Sequence, residues 1–275
     1  MKKLIFTTFL PRPDYPEYDD FLWEWLVSLR TLGEYKEEIV VFDYSGGSLE
    51  EMYVKNKNIS PVRFIPLDPV PMHQVSNRRN VDVIPFLSEY TDYLIAHFDA
   101  DIWFQGDINP MFNEINETEG AYLAVEPRRG CNFRNGPPEL EELHIDNQKK
   151  MEGFIWGGFF AGKQKPFIER LKAIKKLYDE ETWDITYHGT DQSLFQTLVD
   201  FSKDRLDGLR WGASHYLCNF KEGKWYLSSG TKEAVRGLHL VAFGRARKDS
   251  VETLGSHYRF KHLHKEIYES WKNPQ

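Results

Sequence analysis

Apolar positions along this chain fall into short continuous runs, spaced by segments whose apolar residues recur every three or four positions. The run Lys3–Phe9, KLIFTTF, predicts a buried strand. Across Asp19–Leu32, Phe21, Leu22, Trp25, Leu26 and Leu29 recur at helical spacing, and Gly33 stands where a helix stops. Glu38–Asp43, EIVVFD, predicts a second strand, followed by the turn Ser45-Gly46-Gly47 and a helical or irregular stretch over Leu49–Tyr53. Val62–Leu67 predicts a third strand. A helical segment follows over Ser76–Tyr90, striped by Val81, Ile84, Leu87 and Tyr90, in which Pro85 must kink the helix or mark a restart. Strands that alternate with helices in this way predict an α/β fold with a mainly parallel, doubly wound sheet. In such sheets ligands sit at the carboxyl ends of the strands.

The next apolar run is the most informative. Tyr93-Leu-Ile-Ala leads into Asp99-Ala100-Asp101, and apolar sequence resumes at Ile102-Trp103-Phe104. If the strand continues through the pair, residues two apart point to one face, and both carboxylates project together from its end. Like charges there are unfavourable unless a cation or donors satisfy them. A divalent ion carrying a phosphorylated ligand is the simplest answer, because oxygen ligands suit Mg or Mn. The alternative is an edge or turn where both acids face water.

Further along, Gly106–Phe112 predicts a turn into a short helix, Tyr122–Glu126 a strand and Glu139–Lys150 a polar helix. The Gly/Pro-rich loop Arg128–Pro138 carries three arginines and is either a lid or a plain surface loop. Gly153–Gly162 reads as an aromatic strand interrupted by Gly157-Gly158, so a ligand or a neighbouring element comes close to its backbone. Pro166–Tyr178 predicts a helix that buries Phe167, Leu171, Ile174 and Leu177. His188-Gly-Thr-Asp191-Gln192 opens a helix over Ser193–Val199, with Thr190 or Asp191 as its cap or as something more. Leu238-His239-Leu240 is an apolar strand whose histidine is either a core residue or a ligand, and Arg245, Arg247 and Lys248 come soon after it. His262–Trp271 reads as a terminal helix.

At 275 residues the chain suits one large domain or two small ones, and no shift in composition marks a boundary. The net charge of -7 argues against a nucleic-acid partner. An aromatic fraction of 15% is high; most of these residues are expected in the core, and any Trp and Tyr beyond core needs suit stacking on sugars or bases. Two cysteines make neither a disulfide framework nor a zinc cluster. The N-terminal apolar run ends at Pro11 and Pro13 and is too short to span a membrane, so a cytoplasmic protein is expected.

In order and spacing, Asp99-Ala100-Asp101, Gly157-Gly158, Asp191-Gln192 and His239 with its trailing basic residues resemble a GT-A fold glycosyltransferase, above all glycosyltransferase family 8. Phe154–Val199 also resembles family 6, another retaining group. The resemblance implies a single GT-A (Rossmann-like) domain with a mainly parallel twisted sheet flanked by helices, residues 1–105 forming a nucleotide-binding half and 106–275 an acceptor-side half. It implies a metal site of Asp99, Asp101 and His239, holding Mn²⁺ or Mg²⁺. The donor would lie against Thr7, Thr8, Phe9, Arg78 or Arg79, Asp99, Ala100, Gly157 and Gly158, with Arg245 or Lys248 on its diphosphate. Asp191 and Gln192 would be the catalytic positions. The implied partners are a nucleotide-sugar, of uridine diphosphate in these families' manner, and a glycan or glycolipid acceptor that could bring the protein to a membrane surface.

The chain departs from these families in three places. Family 8 usually has acidic or amide residues where Thr7-Thr8-Phe9 stand, family 6 has a glutamate in the segment resembling Ala213–Phe220 where His215 stands, and the usual asparagine near the Gly-rich strand is absent. Rival readings are weaker. A phosphatase of the haloacid dehalogenase type wants its Asp pair near the start of the domain and a Thr or Val where Trp103 stands. A nucleotidyltransferase wants a Gly-rich, Lys-bearing loop after the first strand. A non-catalytic carbohydrate-binding protein would account for the aromatics but not for the Asp pair.

Overall fold

The computed structural model describes residues 1–11, 19–53, 59–127, 133, 136–180, 190–214, 217–221, 224–230 and 232–239. Arg245, Lys248, His188, His215, most of the arginine-rich loop and the expected terminal helix lie outside these residues. In chain order the elements of the first half are β1 (Lys2–Phe9), α1 (Asp19–Thr31), β2 (Ile39–Asp43), α2 (Ser48–Tyr53), β3 (Val62–Pro66), α3 (Val75–Asp82), α4 (Ile84–Leu87), β4 (Tyr93–Phe98) and β5 (Ile102–Phe104). The second half has α5 (Asn109–Glu117), β6 (Ala121–Glu126), α6 (Pro138–Met151), β7 (Phe154–Lys163), α7 (Gln164–Asp179), α8 (Thr190–Thr197), β8 (Ala213–Ser214), β9 (Cys218–Lys221), β10 (Lys224–Leu227) and β11 (Gly237–His239).

Six strands form the main sheet in the order β3-β2-β1-β4-β7-β6. β1, β2, β3 and β4 pair in parallel, whereas β7 runs antiparallel to both of its neighbours. Both faces of the sheet are covered, which explains why its strands read as continuous apolar runs rather than alternating ones. Ile5, Phe9, Ala96 and Phe98 face a core shared with Leu22, Trp25, Leu26 and Leu29 of α1. Leu4, Phe6 and Ile95 face the opposite core, shared with Phe167, Leu171 and Ile174 of α7 and Leu194 of α8. The helix expected over Ser76–Tyr90 is two helices: Val83 separates α3 from α4, and Pro85 stands in the first turn of the second, where its missing N–H is no loss.

A second, three-stranded sheet, β5-β11-β8, carries the late part of the chain back to the middle. Ile102 pairs with His239 across the antiparallel β5–β11 ladder. That ladder brings His239 next to the segment containing Asp99 and Asp101. No helix among the described residues is long and apolar enough to cross a membrane.

Candidate active site

The two acids lie in a turn, not along a strand. β4 ends at Phe98, and the Ile102 amide donates to the Asp99 carbonyl at 3.2 Å to close the turn before β5. The alternation of side chains along a strand is therefore not what brings the carboxylates together; the reversal of the backbone does so. Asp99 and Asp101 are 22% and 29% exposed at their side chains, so both reach the rim of the sheet. Ala100, between them, packs against the core on the α1 side.

His239 closes the group. Its Nε2 lies 3.0 Å from Asp101 Oδ1 and 3.9 Å from Asp99 Oδ2. One ligand atom from each of Asp99, Asp101 and His239 can be chosen so that all lie within 4.8 Å of one another. Two carboxylates and one imidazole fit a divalent ion such as Mn²⁺ or Mg²⁺. The His239 ring packs against Trp156, with centroids 4.9 Å apart and the rings tilted by 54°.

Arg79 ties this group to a second one. Its Nη1 donates to Asp99 Oδ1, and its Nη2 donates to Asp191 Oδ2 at 2.8 Å and to the Gly157 carbonyl at 2.9 Å. Burial by itself would lower the Arg79 pKa, but the Asp99 and Asp191 carboxylates outweigh it and raise the value. Arg79 is thus a fixed cation. Arg78 turns away and pairs with Asp82 one helical turn on, at 2.7 Å. Of the two candidate arginines, Arg79 contacts Asp99 and Asp191, whereas Arg78 pairs within its own helix.

The glycines of β7 have a local cause. Leu123 pairs with Phe160, yet the next residue, Ala124, pairs with Trp156, so Gly157, Gly158 and Phe159 form a bulge. The bulge turns the Gly157 carbonyl to Arg79, and the Gly158 carbonyl accepts the Asp99 amide at 2.9 Å. A Cβ on Gly157 would lie 3.0 Å from Asp191 Oδ2 and 3.3 Å from both Arg79 Nη2 and Gln192 Cγ. The space beside Gly158 is filled by the Trp156 indole instead. What lies against these two glycines is protein: a charged pair at one and an indole at the other. Gly157→Ala is expected to push the Asp191–Arg79 pair apart and to destabilise the protein by about 1–3 kcal/mol, the usual cost of overpacking. A thermal melt checks this, and an unchanged melting temperature would contradict it.

The expected base-binding segment is as buried as the rest of its strand. Thr7 is fully buried, Thr8 is 8% exposed, and Phe9 belongs to the core beneath α1. One group that sequence reasoning passed over is His97, fully buried two residues before Asp99 and stacked on Phe160 with centroids 4.6 Å apart. Burial, helped by the Arg79 charge, holds its pKa well below the ordinary range, so the ring is neutral. Another is Trp156, whose large side chain both supports His239 and requires Gly158.

The acids and the histidine differ in their ionisation. Burial raises the Asp99 pKa despite Arg79. For Asp101, burial works in the same direction, but His239 outweighs it and the value is lowered. His239 would be lowered by burial, yet Asp101 and Asp99 raise it. A raised histidine pKa contributes stability that is complete below about pH 6.5 and lost as pH rises through the folded value. A divalent ion must displace that proton. Apparent Mn²⁺ affinity is therefore expected to climb with pH from below 6.5 until His239 is deprotonated. Calorimetry in buffers of different ionisation enthalpy should show a proton released on binding at pH 6.5; binding without release would contradict the assignment.

Comparison of the sequence with known protein families and with curated proteins finds no match. Solved structures do match. The galactosyltransferase LgtC, solved with donor and acceptor sugar analogues, superposes with a TM-score of 0.58 at 12% identity, over 97% of this chain and 95% of its own. The chain has a GT-A-like glycosyltransferase fold. Mouse xyloside xylosyltransferase 1 in its apo form also matches, with a TM-score of 0.48 at 12% identity, over 87% of this chain and 97% of that one. In this fold the mixed sheet and its helices bring Asp99, Asp101, His239, Arg79, Gly157 and Asp191 into one group of contacting residues. They leave Arg78 outside it.

Proposed function

We propose that this protein is a metal-dependent glycosyltransferase that moves a hexose from a nucleotide-sugar, a uridine diphosphate sugar, to a hydroxyl of a glycan or glycolipid, with retention at the anomeric carbon. The single observation that carries the proposal is the pair of groups bridged by Arg79: a three-residue divalent-ion site and, beside it, the buried carboxylate of Asp191.

Asp99, Asp101 and His239 would hold Mn²⁺ or Mg²⁺. When bound, the ion supplies neutralisation of charge on the departing diphosphate. Arg79 holds Asp99 and Asp191 in fixed positions, so neither has to reorganise as charge develops. Asp191 then presents a negative charge to the anomeric carbon as that atom becomes positive, and Gln192 lies beside it to hydrogen-bond the sugar. Residues 1–105 bear the nucleotide side, with Thr7, Thr8 and Phe9 near the base. Residues 106–275 bear the acceptor side, with Arg245 or Lys248 on the diphosphate. The likeness in fold to LgtC, a protein solved with donor and acceptor sugar analogues, supports a two-substrate crevice of this kind.

The test is a panel of nucleotide-sugars incubated with the protein and Mn²⁺, read as slow release of the nucleoside diphosphate. Release from uridine diphosphate sugars, abolished by chelator, is the expected result. Calorimetry that shows Mn²⁺-dependent binding of guanosine or cytidine diphosphate and none of uridine diphosphate would overturn the choice of donor.

A further inference from the structure

The helix α3 reads VSNRRNVD, and the residues it buries are polar: Asn77, Arg79 and Asn80. Burying polar groups is costly unless each meets a partner, so the inward face of this helix needs an explanation beyond packing. Arg79 has been placed above. Asn80 donates to the Ser76 carbonyl within its own helix, at 3.1 Å. Asn77, fully buried, reaches a different element: its Oδ1 accepts the backbone amide of Asp191 at 3.0 Å.

The first turn of any helix leaves amides without partners inside the helix. A side-chain oxygen just ahead of the helix usually accepts one of them. Asp191 stands in the first turn of α8. For its amide, Asn77 supplies an accepting oxygen from another helix. α3 therefore grips Asp191 at two points, two residues apart on one helix: Asn77 on its amide and Arg79 on its carboxylate. Two points fix both the position and the orientation of a residue where one fixes only its distance.

We infer that Asn77 is a positioning residue for the proposed transfer, holding the Asp191 amide so that the Asp191 carboxylate and the neighbouring Gln192 keep their place over the reacting sugar. This rests on the function proposed above. The far end of α8 provides a control. Asn147 of α6 donates to the Gln196 and Thr197 carbonyls at 2.9 and 3.3 Å, so it holds α8 at the end away from Asp191.

The experiment compares Asn77→Ala, Asn77→Asp and Asn147→Ala in the full chain. Two quantities are read: hydrogen exchange of the Asp191 amide by NMR, and Mn²⁺-dependent turnover of the uridine diphosphate sugar that the wild-type protein uses best. Asn77→Ala should raise the exchange rate at Asp191 at least about tenfold. It should lower kcat about 10–100-fold with donor KM within threefold, as displacement of a positioned group does. Asn77→Asp keeps the accepting oxygen and should restore slow exchange at Asp191. Asn147→Ala should lower the melting temperature while leaving kcat within about twofold. Unchanged exchange at Asp191 in Asn77→Ala would overturn the inference, and so would faster exchange with wild-type kcat. An equal loss of kcat in Asn147→Ala would reduce Asn77 to a general support for α8 and would likewise overturn it. A wild-type protein with no turnover would instead overturn the proposed function, and the exchange reading would then decide the amide contact alone.

Discussion

Asp101→Ala is expected to abolish turnover while leaving the protein folded. The loss should exceed about 10²–10³-fold, the range for removing one preorganised charge-stabilising group, because the substitution takes away a ligand as well as a charge. The fold should survive because Asp101 lies at the rim, in a turn held by the Asp99 carbonyl and the Ile102 amide rather than by its own side chain. Its side chain pairs with His239. The variant should therefore melt within a few degrees of the wild type and lose its Mn²⁺ binding. His239→Ala separates two roles of the histidine. Weaker metal affinity with a small change in melting temperature fits a ligand. A large fall in melting temperature with metal affinity intact would make it a core residue resting on Trp156.

Asp191→Asn is expected to lower kcat by about two to three orders of magnitude with donor binding little changed. The charge matters most when the anomeric carbon becomes positive, so its loss is felt in the transition state rather than in the ground state. Were Asp191 only a helix cap, Asn would serve as well, and the cost would be about 1 kcal/mol of stability or less. The structure changes how the stability half of this test is read. Asp191 is inside the first turn of α8, and its buried carboxylate pairs with Arg79. Removing one partner of a buried pair costs about 3–5 kcal/mol when the other is stranded. Here Arg79 keeps Asp99 and the Gly157 carbonyl, so the cost should be smaller. A moderate loss of stability is thus expected with or without a catalytic role, and the division between kcat and KM is what decides. NMR of the product adds an independent check: an alpha-linked product from an alpha-linked donor is expected, and a beta-linked product would recast Asp191 as a base that activates the acceptor hydroxyl.

Much of this arrangement was legible in the sequence because it depends on local pattern. The runs ending at Phe9, Asp43 and Phe98 are apolar on both faces, which only a sheet covered on both sides produces, and the helical spacing between them implied parallel crossovers. Acids at the end of such a run pointed to a cation for the same reason. What stayed hidden depends on pairing between distant segments. Nothing in Gly153–Gly162 tells that β7 runs antiparallel to its neighbours or that its glycines form a bulge, because both follow from the register against β6. His239 reaches Asp101 through the β5–β11 ladder, a contact between short strands with no periodicity of their own. The choice between Arg78 and Arg79 turns on one step of helical phase in an almost wholly polar helix, where no apolar stripe marks the inner face. The polar inner face was itself a signal: Asn77, Arg79 and Asn80 all point inward, and the two that reach across to α8 both meet Asp191.

The most direct test is calorimetric titration of uridine diphosphate into the wild type and Asp101→Ala, each with Mn²⁺ and with chelator. Binding to the wild type only in the presence of Mn²⁺, with none to Asp101→Ala under either condition, is the result the account predicts. Equal binding of uridine diphosphate to the wild type in chelator would contradict it.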